Sequence, residues 1–249
     1  MYPGVLMWTL MLVAAGALAE PVQIKARDGT PVFGELWPTA SKSAPLILAF
    51  HQAGSNHTEY TPLAGRLNQA GFSVLAIDQR SGGGAFGGVN KTVAALGRSA
   101  SYDAALQDME AALDWAKTHH PGVPVLVWGS SYSAALVFLL TAKHPSEIQG
   151  LLAFSPGEYL QKPDAVRAAA RSIKVPVFID QAADADEEEQ SRSILAALPG
   201  TDKIQFIAKR PSVHGSSTLR TDRNPTGAED HWRAVLAFVA RFHWPRAGP

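Results

Sequence analysis

The chain has 249 residues, 46% of them hydrophobic and 18% charged, which is enough apolar material for a sizeable core. Twenty-two basic residues balance twenty-two acidic ones, so charge provides no basis for binding nucleic acid or an anionic membrane. With no cysteine, a disulfide scaffold, a thiolate metal site and a cysteine nucleophile are excluded.

Residues 5–19 form a short apolar run ending in Ala17-Leu18-Ala19, the small-x-small pattern accepted by signal peptidase, with Glu20 next. The run is short for a membrane span, and no Lys or Arg precedes it. The expectation is a signal peptide over 1–19 and one domain over 20–249. The mature protein would then be secreted or periplasmic, without stable membrane association; an uncleaved anchor is the alternative.

Segments 22–26 and 32–37 alternate apolar and polar residues around Asp28-Gly29, which predicts an antiparallel hairpin with one solvated face. Apolar runs at 45–50, 72–77 and 125–128 follow, the pattern of strands buried on both faces, and further strands are expected over 148–154, 175–179 and 203–208. Between them, apolar residues recur at helical spacing: Tyr60, Leu63 and Leu67, then Tyr102, Leu106, Met109 and Leu113. Further helices are expected over 164–173, around Ile194, Leu195 and Leu198, and at Trp232, Val235, Leu236 and Val239. Residues 81–97 are Gly-rich with little periodicity. No Lys-Ser or Lys-Thr pair follows the glycines, so the stretch reads as the rim of a site and not as a phosphate loop. Strands alternating with helices predict an α/β fold: a mainly parallel sheet covered on both faces, with no insertion large enough for a lid.

Reacting groups in such sheets gather at the carboxyl ends of the strands. The run at 125–128 leads into Gly129-Ser130-Ser131-Tyr132-Ser133 and then an Ala- and Leu-rich helix. A strand entering a helix through G-x-S-x-small presents the central Ser as a nucleophile. Serine after a strand also serves as an ordinary helix cap; the order of the other candidates favours the nucleophile. The frame selects Ser131, because Trp128 occupies the position where Ser130 would need a small residue. His214, in a Pro-Ser-Val-His-Gly segment past the last strand, is the candidate base. The acid should follow the strand ending at Ile179. Asp184 is favoured there, with Asp186, Asp180 and Glu187 competing. Backbone N–H groups of Tyr132 and Gln52 are the candidate oxyanion donors, with Ala53 the alternative to Gln52. Of the other histidines, His51 reads as a structural hydrogen-bonder, while His57 and His231, near helix starts, are expected to be exposed. No spacing suits a metal, and no cofactor is expected.

His51-Gln52-Ala53-Gly54-Ser55-Asn56, Asp78-Gln79-Arg80, Gly129-Ser130-Ser131-Tyr132-Ser133 and His214-Gly215 together resemble the α/β-hydrolase superfamily, and most closely its lidless, dienelactone-hydrolase-like and serine esterase members. The resemblance runs over 22–244. Dienelactone hydrolases carry Cys as nucleophile where this chain has Ser131, so lactone specificity does not carry over, and Ser133 stands where the elbow commonly ends in Gly. The resemblance implies a Ser-His-Asp serine hydrolase that cleaves small or polymer-borne carboxylic esters through an acyl-enzyme. A peptidase or amidase, or a non-catalytic binding protein of the same fold, are the alternatives. Oligomeric state is left open.

Overall fold

The structure, a computed structural model, describes residues 18–242. The expected signal peptide lies almost wholly outside the described residues. Eight strands form one sheet: β1 (Glu20–Lys25), β2 (Pro31–Trp37), β3 (Leu46–Phe50), β4 (Ser73–Ile77), β5 (Val125–Ser130), β6 (Gly150–Phe154), β7 (Val177–Asp180) and β8 (Lys203–Phe206). Their order is β1-β2-β4-β3-β5-β6-β7-β8. The β1–β2 hairpin is antiparallel, and β2 joins β4 antiparallel; every pairing from β4 to β8 is parallel.

Among the described residues, seven α-helices accompany the strands: α1 (Thr61–Gln69), α2 (Lys91–Leu96), α3 (Leu106–His119), α4 (Tyr132–Lys143), α5 (Ala165–Ala170), α6 (Ala185–Ala197) and α7 (Ala228–Val239). The period-two geometry of the strands sends alternate residues to opposite layers. Leu46, Leu48 and Phe50 of β3 face one side, packing with Met109 and Leu113 of α3, Leu136 of α4, Val166 of α5 and Ile194 of α6. Ile47 and Ala49 face the other, with Leu63 and Leu67 of α1 and Trp232, Val235 and Phe238 of α7. Both faces are therefore covered, which is why the central strands read as unbroken apolar runs. The connection from β6 to β7 carries only the six-residue α5, and no lid is inserted there.

Two expectations change. Helix α2 lies inside the Gly-rich stretch, too short to show a period. Asn90 starts it by accepting the Val93 N–H, and Gly97 ends it in the left-handed conformation. His57 and His231 are buried, not exposed, each held by a carboxylate: Asp78 at 2.7 Å from His57 Nδ1, and Asp180 at 2.7 Å from His231 Nδ1.

Candidate active site

Ser131 occupies the junction between β5 and α4 with φ 58° and ψ −122°, a conformation costly for any residue with a side chain. The turn has room only for glycine at position 129: a Cβ there would lie 2.3 Å from the Ser133 carbonyl oxygen. The Ser133 hydroxyl completes the seat, donating to the His51 carbonyl at 2.6 Å and accepting from Gln79 Nε2 at 2.8 Å. Ser133 thus ties the elbow to the end of β3.

The Ser131 hydroxyl lies 2.7 Å from His214 Nε2, and His214 Nδ1 lies 2.7 Å from Glu187 Oε1. A carboxylate can only accept, so Nδ1 carries the proton and Nε2 is free to accept from Ser131. Glu187 also accepts the Ala182 N–H at 3.0 Å through its other oxygen. Burial pushes its pKa up, but hydrogen bonds from His214, Ser155 and Ala182 outweigh that and leave it below the usual glutamate range. Asp184 does not meet His214: its carboxylate caps α6, accepting from the N–H groups of Asp186 and Glu187 at 3.0 and 3.2 Å. The geometry therefore replaces Asp184 with Glu187, one helical turn further on, whose longer side chain reaches back to the imidazole. Asp180 is committed to His231.

Beside the elbow, β3 and β5 pair with Phe50 opposite Gly129, so Gln52 and Ser131 leave adjacent strands at the same level. The Gln52 N–H is engaged, donating to Glu59 Oε2 at 2.9 Å, which removes it as an oxyanion donor. The next peptide is held by its other end. His51 Nε2 accepts the Gln79 N–H at 2.9 Å, so its Nδ1–H donates to the Gln52 carbonyl at 2.8 Å, and the Ser55 N–H joins at 3.2 Å. In a trans peptide the N–H points opposite the C=O. The Ala53 N–H therefore faces away from these partners, and it has no acceptor among the described residues. The Tyr132 N–H, in the first turn of α4, has no intrahelical acceptor either.

Residues 41–221 match the family described as serine aminopeptidase, S33. The chain belongs to this family. It is 27% identical over 129 residues to human monoglyceride lipase, a match covering 52% of this chain and 40% of the lipase. The chain thus matches less than half the length of that relative. The fold is shared with an esterase from Pyrococcus furiosus (TM-score 0.69, 20% identity, 96% of this chain and 97% of the other). It is shared also with a dienelactone hydrolase from Anabaena variabilis (TM-score 0.71, 16% identity, 92% and 99%). This S33-family chain is therefore an α/β-hydrolase, as its motifs suggest.

Three supporting roles escape a reading of the sequence. Ser155, at the carboxyl end of β6 with φ 54°, accepts the Gly215 N–H at 2.8 Å and stands beside Glu187. Glu59, completely buried, holds Gln52. Ser130 accepts the Ser216 N–H at 2.9 Å, tying the elbow to the segment that carries His214. Position at a strand end could have flagged Ser155; nothing local marks Glu59. The Gly-rich stretch packs on the loop after β3, with the Gly83 and Ala85 N–H groups donating to the Ser55 and Gly54 carbonyls at 2.8 and 3.0 Å.

Proposed function

We propose that the protein is a serine hydrolase that cleaves small or polymer-borne carboxylic esters through an acyl-enzyme. The observation carrying this reading is the continuous chain Ser131–His214–Glu187, two hydrogen bonds of 2.7 Å issuing from a strained strand-to-helix turn. Ser131 Oγ attacks the ester carbonyl while its proton passes to His214 Nε2. Glu187 holds the imidazole in the accepting tautomer and balances the imidazolium that forms. The oxygen of the tetrahedral intermediate takes hydrogen bonds from the Ala53 and Tyr132 N–H groups, each such donor contributing roughly 3 kcal/mol to the transition state. His214 then protonates the leaving alcohol, and a water deprotonated by the same imidazole releases the acid.

Kinship with proteins named as esterases, a dienelactone hydrolase and a monoglyceride lipase supports ester chemistry. The half-exposed His214 side chain and the absence of a lid between β6 and β7 support an open site, suited to short acyl groups or esters displayed on a polymer. The family description names an aminopeptidase, so amide hydrolysis is the second reading. Export is proposed with the enzyme function, on the apolar run ending at Ala19. A panel of p-nitrophenyl esters of increasing chain length, assayed beside aminoacyl p-nitroanilides, decides between ester and amide. The enzyme reading fails if Ser131→Ala turns over as wild type or if a fluorophosphonate does not label Ser131.

A further inference from the structure

Under the loop that follows β3 lies a carboxyl group the proposed chemistry does not use. Glu59 ends the short 3-10 turn His57–Glu59 and is completely buried. Its Oε2 accepts the Gln52 N–H at 2.9 Å, while Oε1 has no hydrogen-bond partner among the described residues. The groups facing it come from three segments: the Ser130 hydroxyl from β5, the Ser55 hydroxyl from the loop after β3, and the Arg220 guanidinium beyond the His214 segment. Arg220 is itself paired with Asp222 at 3.0 and 3.1 Å. Burial pushes the Glu59 pKa up, and the Gln52 N–H, the two hydroxyls and Arg220 only partly offset it.

A buried, partly unpartnered carboxyl is costly to keep. What it does here is visible in the two peptides above it. The first, between His51 and Gln52, gives its N–H to Glu59. The second, between Gln52 and Ala53, gives its carbonyl to His51 Nδ1 and the Ser55 N–H. Only the Ala53 N–H is left without an acceptor.

We propose that Glu59 is a positioning residue: it is the buried acceptor that consumes the Gln52 N–H and so holds the loop with the Ala53 N–H presented to the oxyanion. The inference rests on the proposed function of Ser131 and the Ala53 N–H. It adds that the acceptor oxygen, not a negative charge, is what the site requires of this residue.

Glu59→Gln keeps a carbonyl oxygen for the Gln52 N–H, whereas Glu59→Met keeps length and volume without an acceptor. Both are assayed on p-nitrophenyl acetate below the melting temperature of each variant, with folding checked by circular dichroism. The Gln variant is expected to keep kcat within about threefold and to retain the wild-type pH profile of kcat. The Met variant is expected to lose about 10- to 100-fold in kcat with KM within about threefold, because a displaced donor weakens the transition state more than the ground state. A folded Met variant with wild-type kcat overturns the proposal, as does a Gln variant that loses as much as Met or shifts the pH profile. If the Met variant does not fold, the Gln variant decides alone: kcat within about threefold on an unshifted profile supports the role, and a tenfold loss or a shifted profile refutes it. Ser131→Ala separates the two layers. If it is active, the proposed function itself has failed; if it is inert while Glu59→Met matches wild type, only the role of Glu59 has.

Discussion

Glu187 and Asp184 lie three residues apart at the start of α6, yet they do different work. Asp184 sits at the cap in extended backbone, and its carboxylate is spent on two helix N–H groups. Glu187, in the first turn, points its carboxylate to His214 Nδ1. Glu187→Gln offers an amide whose NH₂ face cannot accept Nδ1–H, so the wrong imidazole tautomer becomes favourable. The expected loss is about 10²- to 10⁴-fold in kcat on a p-nitrophenyl ester. Asp184→Ala should cost about 1 kcal/mol of stability by loss of the cap and leave kcat within about tenfold. A large kcat loss at Asp184 with little at Glu187 would reverse the assignment. Because the Glu187 pKa is depressed in the folded state, the stability it contributes is present above its ordinary value of about 4.5 and is lost as pH falls through the depressed one.

Among the elements, the segment bearing His214 depends most on its neighbours, since it contains only the short 3-10 turn Gly215–Leu219. Gly215 has φ +67°, and a Cβ there would lie 2.5 Å from Ser130 Oγ. The adjoining N–H groups are taken by Ser155 and Ser130, and Trp128 Nε1 donates to Ser216 Oγ at 2.8 Å. Further along, the Thr218 hydroxyl meets His231 Nε2 at 3.1 Å, and His231 leads to Asp180 at the end of β7, all three buried. His231→Leu strands the Asp180 carboxylate without its partner and should destabilise the protein by about 3–5 kcal/mol, measured by urea unfolding. An unchanged unfolding midpoint would show that this chain does not anchor the segment. Ser131 and His214 were legible in the sequence because a local turn motif and a strand-end position mark them. Glu187 was only one carboxylate among several, since choosing it requires knowing where α6 starts and that Asp184 is used as its cap. Gln52 fails as an oxyanion donor for a related reason: its N–H is already given to a residue seven positions away that looks like an ordinary surface glutamate.

At the scale of the whole molecule, the parallel sheet was legible because its central strands, buried on both faces, need unbroken apolar runs, and these alternate with helical periods along the chain. Burial of His57 and His231 was not, because their partners Asp78 and Asp180 come from other strand ends that only the sheet brings alongside. The same sheet buries His51 completely at the end of β3. Burial pushes its pKa down, against the hydrogen bond to Gln52 and the charge of Asp78 that favour protonation, and the net value is about 4. In the unfolded chain an imidazole titrates near ~6.5. Between these two values the unfolded state binds a proton that the folded state does not, so stability rises with pH across the window. The contribution of His51 is fully present above about 6.5 and is lost as pH falls toward about 4, amounting at most to roughly 3 kcal/mol. Other groups also titrate in this range, so the test is a difference. Urea unfolding of wild type and His51→Gln, each at pH 7.5 and pH 4.5, should show the wild type losing more stability on acidification than the variant. Equal losses in the two proteins would mean that His51 takes up its proton as readily inside the fold as outside it.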